Sequence, residues 1–282
     1  MEITCVGTFR LGWGESLVYD ELHDRLYFVD CAAQTLHWLQ GGEGELQTVA
    51  LPSMAAGLVP TDDGRLVGAL DDGLHVVDPD TGKSRLLSRY PDELGARAND
   101  ACADLSGHII TGTLNMGPGR GSLWWFSTRQ RWRMLDTGIS NTNGPNVAVV
   151  DGHMTLYVGD TSADYYCYRY DAETGTVRDR YVFGDMSALV GAPDGAALDD
   201  EGGLWCALVG GSQLARFTDN GLDRTVALPV SNPTDVAFGG STLDRLYVVS
   251  IGLGATEESV DGTLLVIDGL GNRGRPEPRA SL

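Results

Sequence analysis

The residues best suited to chemistry fall in six short segments: GES (Gly14–Ser16), AAG (55–57), RAND (Arg97–Asp100), TNGP (142–145), APDG (192–195) and NPTD (232–235). One shared position in them is taken by Glu15, Ala56, Asn99, Asn143, Asp194 and Thr234, so four of the six carry carboxylate or amide oxygens. Such residues are poor strand formers, and oxygens crowded together without partners repel or go unsatisfied. A divalent cation removes the difficulty, and an all-oxygen set suits hard ions such as calcium, magnesium or manganese. None of the five histidines shares this register, which argues against a histidine-rich zinc site, although carboxylates also accept zinc. Arg97, two residues before Asn99, adds a fork able to hold substrate oxygens in pairs.

These positions meet only if the chain closes on itself, and its repeats predict that it does. Six units begin with LVYDELHDRLYFVD, LVPTDDGRLVGAL, ACADLSGHIITGTL, PNVAVVDGHMTLYVGD, AALDDEGGLWCALV and VAFGGSTLDRLYVVS, and their pivots Leu26, Leu66, Ile109, Leu156, Leu204 and Leu246 recur about every 44 residues. Each pivot is followed by another strand-like run, such as TLHWL, LHVVD or LLVID, often with an Asp-rich turn (DPDTGK, DAETGT) beyond it. A period of this length with about four strands per unit predicts an all-β, six-bladed β-propeller with antiparallel blades, one domain over residues 1–282. A closed ring leaves no open edge, so ITCVGTF (Ile3–Phe9) is expected to complete the last blade. The tail GNRGRPEPRASL, from about residue 271, is polar and contains proline, and reads as loose. In a propeller the innermost strands surround the axis, so the shared positions face one another there. Singly, Asn143-Gly144 and Asp194-Gly195 read as turn formers; together in one register of a ring they read as a site.

Composition limits the partners. The 282 residues include 39 acidic and 20 basic ones, a net charge of −19 without a basic run, which excludes a nucleic-acid grip and an anionic membrane surface. There is no secretory leader pattern and no long apolar span, and the five cysteines form no CxxC pair, so a reduced, cytoplasmic setting is expected. The sequence leaves the oligomeric state open. A serine-hydrolase reading fails because no GxSxG elbow occurs and Ser16 has no recognisable histidine partner.

LGWGES…LYFVD, ARANDACADLSGHIITGTL, NTNGPNVAVVDGHMTLYVGDTS and GAPDGAALDDEGGLWCALVGGSQLARF occur in order along nearly the whole chain, which resembles the senescence marker protein/gluconolactonase (regucalcin-like) family. The resemblance implies a six-bladed propeller with one divalent metal in its channel, held by Glu15, Asn143 and Asp194, and a substrate-contacting pair, Arg97 and Asn99. It also implies a metal-dependent lactonase opening a small sugar-acid lactone, with calcium first among metals that include zinc, manganese, magnesium and iron. Leu17 and Tyr19 stand where the family usually has Pro and Trp, and NMGPGRG follows TGTL where some members carry an acidic residue for sugar hydroxyls.

Opening a lactone needs a polarised carbonyl, an activated water and help for the departing ring oxygen. The expected division has the metal meet the first two needs. Asp194 serves as ligand and base, while Arg97 and Asn99 orient hydroxyls and steady the oxyanion. Two alternatives carry the same residues: a phosphotriesterase or arylesterase using the same metal, and a noncatalytic propeller that binds metal or a partner.

Overall fold

The computed structural model describes residues 1–115 and 121–282. After β1 (Glu2–Val6), the first blade comprises β2 (Gly14–Asp20), β3 (Arg25–Asp30), β4 (Thr35–Gln40) and β5 (Gln47–Ala50). The second is β6 (Ala55–Pro60), β7 (Leu66–Leu70), β8 (Gly73–Val77) and β9 (Ser84–Arg89), and the third β10 (Arg97–Ala103), β11 (Ile109–Leu114), β12 (Gly121–Phe126) and β13 (Trp132–Ile139). The fourth is β14 (Thr142–Val150), β15 (His153–Asp160), β16 (Tyr165–Asp171) and β17 (Thr176–Gly184), and the fifth β18 (Ala192–Leu198), β19 (Leu204–Val209), β20 (Gln213–Thr218) and β21 (Gly221–Ala227). In the sixth, β22 (Pro233–Gly239), β23 (Arg245–Ser250) and β24 (Leu264–Asp268) are joined by β1, which pairs antiparallel with β24 from Glu2↔Asp268 to Val6↔Leu264. The first strand thus closes the ring, and the whole is a six-bladed β-propeller.

The blades pack face to face, so a middle strand is buried on both sides and reads as an unbroken apolar run: LYFV in β3, LVGAL in β7, LWCALV in β19. Six apolar clusters fill the six seams. Leu17, Tyr19 and Phe28 meet Tyr247 and Val249 across the first and sixth blades, for instance, and Tyr157 and Tyr165 meet Leu204 and Phe217 across the fourth and fifth. Much of the acidic excess is structural at the turns. Asp104 accepts amide bonds from Ser106 and His108, and Asp199 from Glu201 and Gly203.

The tail corrects the expectation of a loose end. The Gly274 amide bonds the Leu243 carbonyl at 2.7 Å, Ala280 bonds Pro60 at 2.9 Å and Ser281 bonds Gly107 at 3.0 Å, while Arg279 pairs with buried Asp20. The segment is a strap across the face opposite the site, tied to five blades, the fifth through the Arg275 Nε bond to the Asp199 carbonyl at 2.8 Å. Polar composition suggested looseness because this strap is held by backbone and ion-pair bonds rather than by apolar burial. Gly274 is required, since a Cβ there would lie 2.1 Å from Phe238. Glu277 projects from the strap into the channel, where it shares a cavity of about 40 Å³ with Asp100 and Asp235.

Candidate metal centre

Every innermost strand breaks its pairing at the same level, between Glu15 and Val18, Ala55 and Leu58, Asn99 and Ala101, Asn143 and Asn146, Pro193 and Ala196, and Pro233 and Asp235. A bulge leaves one residue unpaired and re-aims its neighbours. Here six bulges form a ring around the axis, and the shared positions lie inside the strands beside them rather than ahead of the strands. The left-handed backbone this requires is found at Ser16 (φ 54°), Asp100 (φ 23°) and Gly144 (φ 49°).

The polar side chains at this ring form a defined network. Asn99 Nδ2 donates to the Thr142 carbonyl at 3.0 Å and to Asn143 Oδ1 at 2.6 Å, and Asn143 Nδ2 donates to Thr161 Oγ1 at 2.5 Å. The backbone carbonyl accepts only, which fixes which end of Asn99 is nitrogen and hence which end of Asn143 is oxygen. Asn143 is buried, and its oxygen keeps a second lone pair. Both amide protons of Asn99 are thereby committed, leaving its oxygen as the end that can accept a hydroxyl. Trp13 Nε1 donates to Glu15 Oε1 at 3.0 Å.

Asp194 is buried and no side chain donates to it among the described residues; its carboxyl is pushed well above the usual range by burial first, then by the charges of Glu15, Asp235 and Asp100. Glu15, partly open at the mouth, rises to about 8, again through burial and then Asp100, against the pull of Trp13, Arg97 and the Ser16 amide. Arg97 therefore stands close enough to act on Glu15, with its Nη1 2.9 Å from Met54 Sδ. The Cys31 thiol is raised by burial and by the Glu15 charge, which removes it as a nucleophile.

Asp100 and Asp235 lie just beyond the ring and clamp adjacent blades. Asp100 accepts from the Gly144 amide at 2.6 Å and Asp235 from the Leu17 amide at 2.7 Å. Burial raises Asp100 to about 6, opposed by the amides of Gly144 and Ala101. Thr234, the sixth shared position, donates to the Gly14 carbonyl at 2.5 Å and is structural. Sequence reasoning missed Trp13, Thr161, Asp100 and Asp235. Trp13 was legible in principle, two residues from Glu15 and so on the same side of a strand, whereas Thr161 approaches only through the folding of the fourth blade. The NMGPGRG comparison falls largely on residues 116–120, outside the described residues.

The donor set fits a hard divalent cation: two carboxylates, both raised by burial and then by neighbouring charge, one of them without a side-chain donor among the described residues, beside an amide oxygen oriented by its own network. No three His, Cys, Asp or Glu side chains converge to hold a metal among the described residues, so an amide must complete any such set. Among them, too, no helix is long and apolar enough to cross a membrane.

The closed six-bladed ring thus brings acids and amides to one level of its innermost strands. Residues 13–252 match the family model described as the SMP-30/gluconolactonase/LRE-like region, and the chain belongs to that family. It is 30% identical over 295 residues to the pentonolactonase XacC of Haloferax volcanii, covering 100% of this chain and 99% of that one. It is 31% identical to the 6-deoxy-6-sulfogluconolactonase of Pseudomonas putida over 84% of this chain and 82% of the other. Among solved structures, the calcium-binding regucalcin of Agrobacterium tumefaciens superposes with a TM-score of 0.88 at 27% identity, covering 99% and 97% of the two chains.

Proposed function

We propose that this protein is a metal-dependent lactonase that opens a sugar-acid lactone to the free acid, with Glu15, Asn143 and Asp194 as metal ligands. The observation that carries the reading is Asp194, a buried carboxylate crowded by Glu15 with no cation among the described residues bonded to it. The lactonase names of the two relatives support the substrate class.

A divalent cation bound here supplies Lewis acidity toward the lactone carbonyl and makes a nearby water more acidic. Asp194 takes the proton from the attacking water as the new C–O bond forms. Arg97 reaches the oxygen on which charge develops and holds sugar hydroxyls by its fork. Asn99 accepts a hydroxyl through its oxygen, because its two N–H bonds already serve Thr142 and Asn143. The carbonyl re-forms, the ring C–O bond breaks, and the proton held by Asp194 passes to the departing alkoxide.

The test is metal analysis of protein purified without chelator, followed by pH-stat assays on five- and six-membered aldonolactones beside aryl esters and organophosphate triesters. Metal-dependent acid release from the lactones is expected. Turnover confined to the triesters or aryl esters would replace the substrate class, and metal-independent turnover would refute the centre.

A further inference from the structure

Glu15 is held differently from the other proposed ligands. Trp13, two residues earlier, sends its indole N–H to Oε1 at 3.0 Å. The Trp13 backbone is itself pinned. Its amide donates to Asp30 Oδ1 at 3.1 Å, its carbonyl receives the Cys31 amide at 2.8 Å, and Asp30 also accepts the amides of Gly12, Ala32 and Ala33. The indole packs against the seam that contains Val18, Val29 and Cys31. A donor this firmly mounted holds one carboxylate oxygen in a fixed place, and a hydrogen bond to a charged acceptor is among the stronger ones.

We propose that Trp13 is a positioning residue that restricts Glu15 to a single oxygen, Oε2, for a cation, and so biases the centre against calcium and toward smaller divalent ions. The inference rests on the proposed ligation by Glu15, Asn143 and Asp194. Calcium gathers six to eight oxygens and readily takes both oxygens of a carboxylate, whereas magnesium-sized ions are satisfied with fewer protein atoms and water. With Oε1 engaged by the indole, Oε2 of Glu15, Oδ1 of Asn143 and the two oxygens of Asp194 remain, four protein oxygens against the six to eight that calcium gathers. The lost bond is of the kind worth about 1.4 kcal/mol, a tenfold change in relative affinity.

The test uses the full chain stripped of metal, with calorimetric titration of calcium and of manganese into the wild type and Trp13→Phe, which keeps the ring and removes the N–H. The ratio of calcium to manganese affinity is expected to rise about tenfold in the variant, while the lactone KM stays unchanged and kcat falls. In case the variant folds poorly, hydrogen exchange of the wild-type indole N–H provides a second readout, and that proton should remain protected when the cation is added. An unchanged ratio, or an indole proton released on cation binding, overturns this inference and leaves the ligand set standing. A wild type that binds neither ion removes the ligand set and this inference with it.

Discussion

Replacing Glu15 with Gln should stabilise the metal-free protein, and increasingly so as pH rises. The substitution keeps an oxygen for the Trp13 indole and removes the charge. Glu15 ionises near 8 in the folded chain against an ordinary 4.5, driven by burial and then by Asp100. The folded state therefore holds this proton longer than the unfolded state does. Its stability contribution is intact below pH 4.5 and is lost as pH climbs toward 8. At about 1.4 kcal/mol per decade, the ionised group costs up to roughly 3 kcal/mol at pH 7 and under 1 at pH 5. Partial exposure at the mouth trims the first figure to about 2 kcal/mol.

Urea unfolding in EDTA at pH 5, 6, 7 and 8, wild type beside Glu15→Gln, reads the difference directly. The shared titrations of Asp235 and Glu277 largely cancel in it. The gain at pH 7 should be about 2 kcal/mol, near 5 °C in Tm for a chain of this size. Saturating cation should reverse the order, because the wild type gains RT ln(1 + [L]/Kd), about 2.7 kcal/mol at a hundred times Kd, and the variant gains little. A difference that stays flat from pH 5 to 8, or a variant less stable than wild type in EDTA at pH 8, would refute the claim that Glu15 is crowded by like charge.

Asp194→Asn should abolish lactone opening while circular dichroism shows the propeller intact, and retained full activity would contradict its role as base. Arg97→Ala is expected to raise the lactone KM at least tenfold with metal content unchanged, since it loses a charge-assisted contact worth roughly 1.5–3 kcal/mol; loss of metal on elemental analysis would refute that division of labour. Thr161→Val keeps the shape and removes the bonds from Asn143 Nδ2 and Asn141 Nδ2, so cation affinity by calorimetry should fall about tenfold, with unfolding free energy lowered by about 1–3 kcal/mol. Gly274→Ala forces a Cβ against Phe238 and should cost about 2 kcal/mol in urea unfolding while increasing proteolysis of the tail; an unchanged midpoint would show that the strap bears no strain.

The ring was legible because each unit repeats a physical necessity. Leu26, Leu66, Ile109, Leu156, Leu204 and Leu246 are all buried at 2% exposure or less, since each sits in the second strand of its blade, which is covered on both faces. Ile3 in ITCVGTF was recoverable for the same reason, because a ring with one strand missing would expose an edge. The level of Glu15, Asn99, Asn143 and Asp194 was also readable, as oxygens placed where apolar residues would suit a strand better. Their exact setting was not. Whether Asn143 offers oxygen or nitrogen to the axis depends on Asn99 and the Thr142 carbonyl, contacts between blades that no spacing within one blade encodes. Arg279 hid the strap for a related reason, since its partner Asp20 lies in the first blade, at the far end of the chain.

The same separation explains how this fold carries a mouth that is electrostatically unfavourable. The seams, with Tyr27, Trp205, Tyr247 and their neighbours fully covered, form the bulk of the apolar burial, and they lie outside the ring of bulges. Charge crowding at Glu15 and Asp194 therefore acts on strand segments already released from regular pairing, where Asp100 and Asp235 bind the amides of Gly144 and Leu17 in the next blade. Cross-blade clamps of this kind let the crowded side chains remain aimed at the axis, because relaxing one would break a bond belonging to its neighbour. The cost stays at the mouth, a few kcal/mol set against seams that each bury ten or more residues, and the proposed ligands need no rearrangement of those seams to meet a cation.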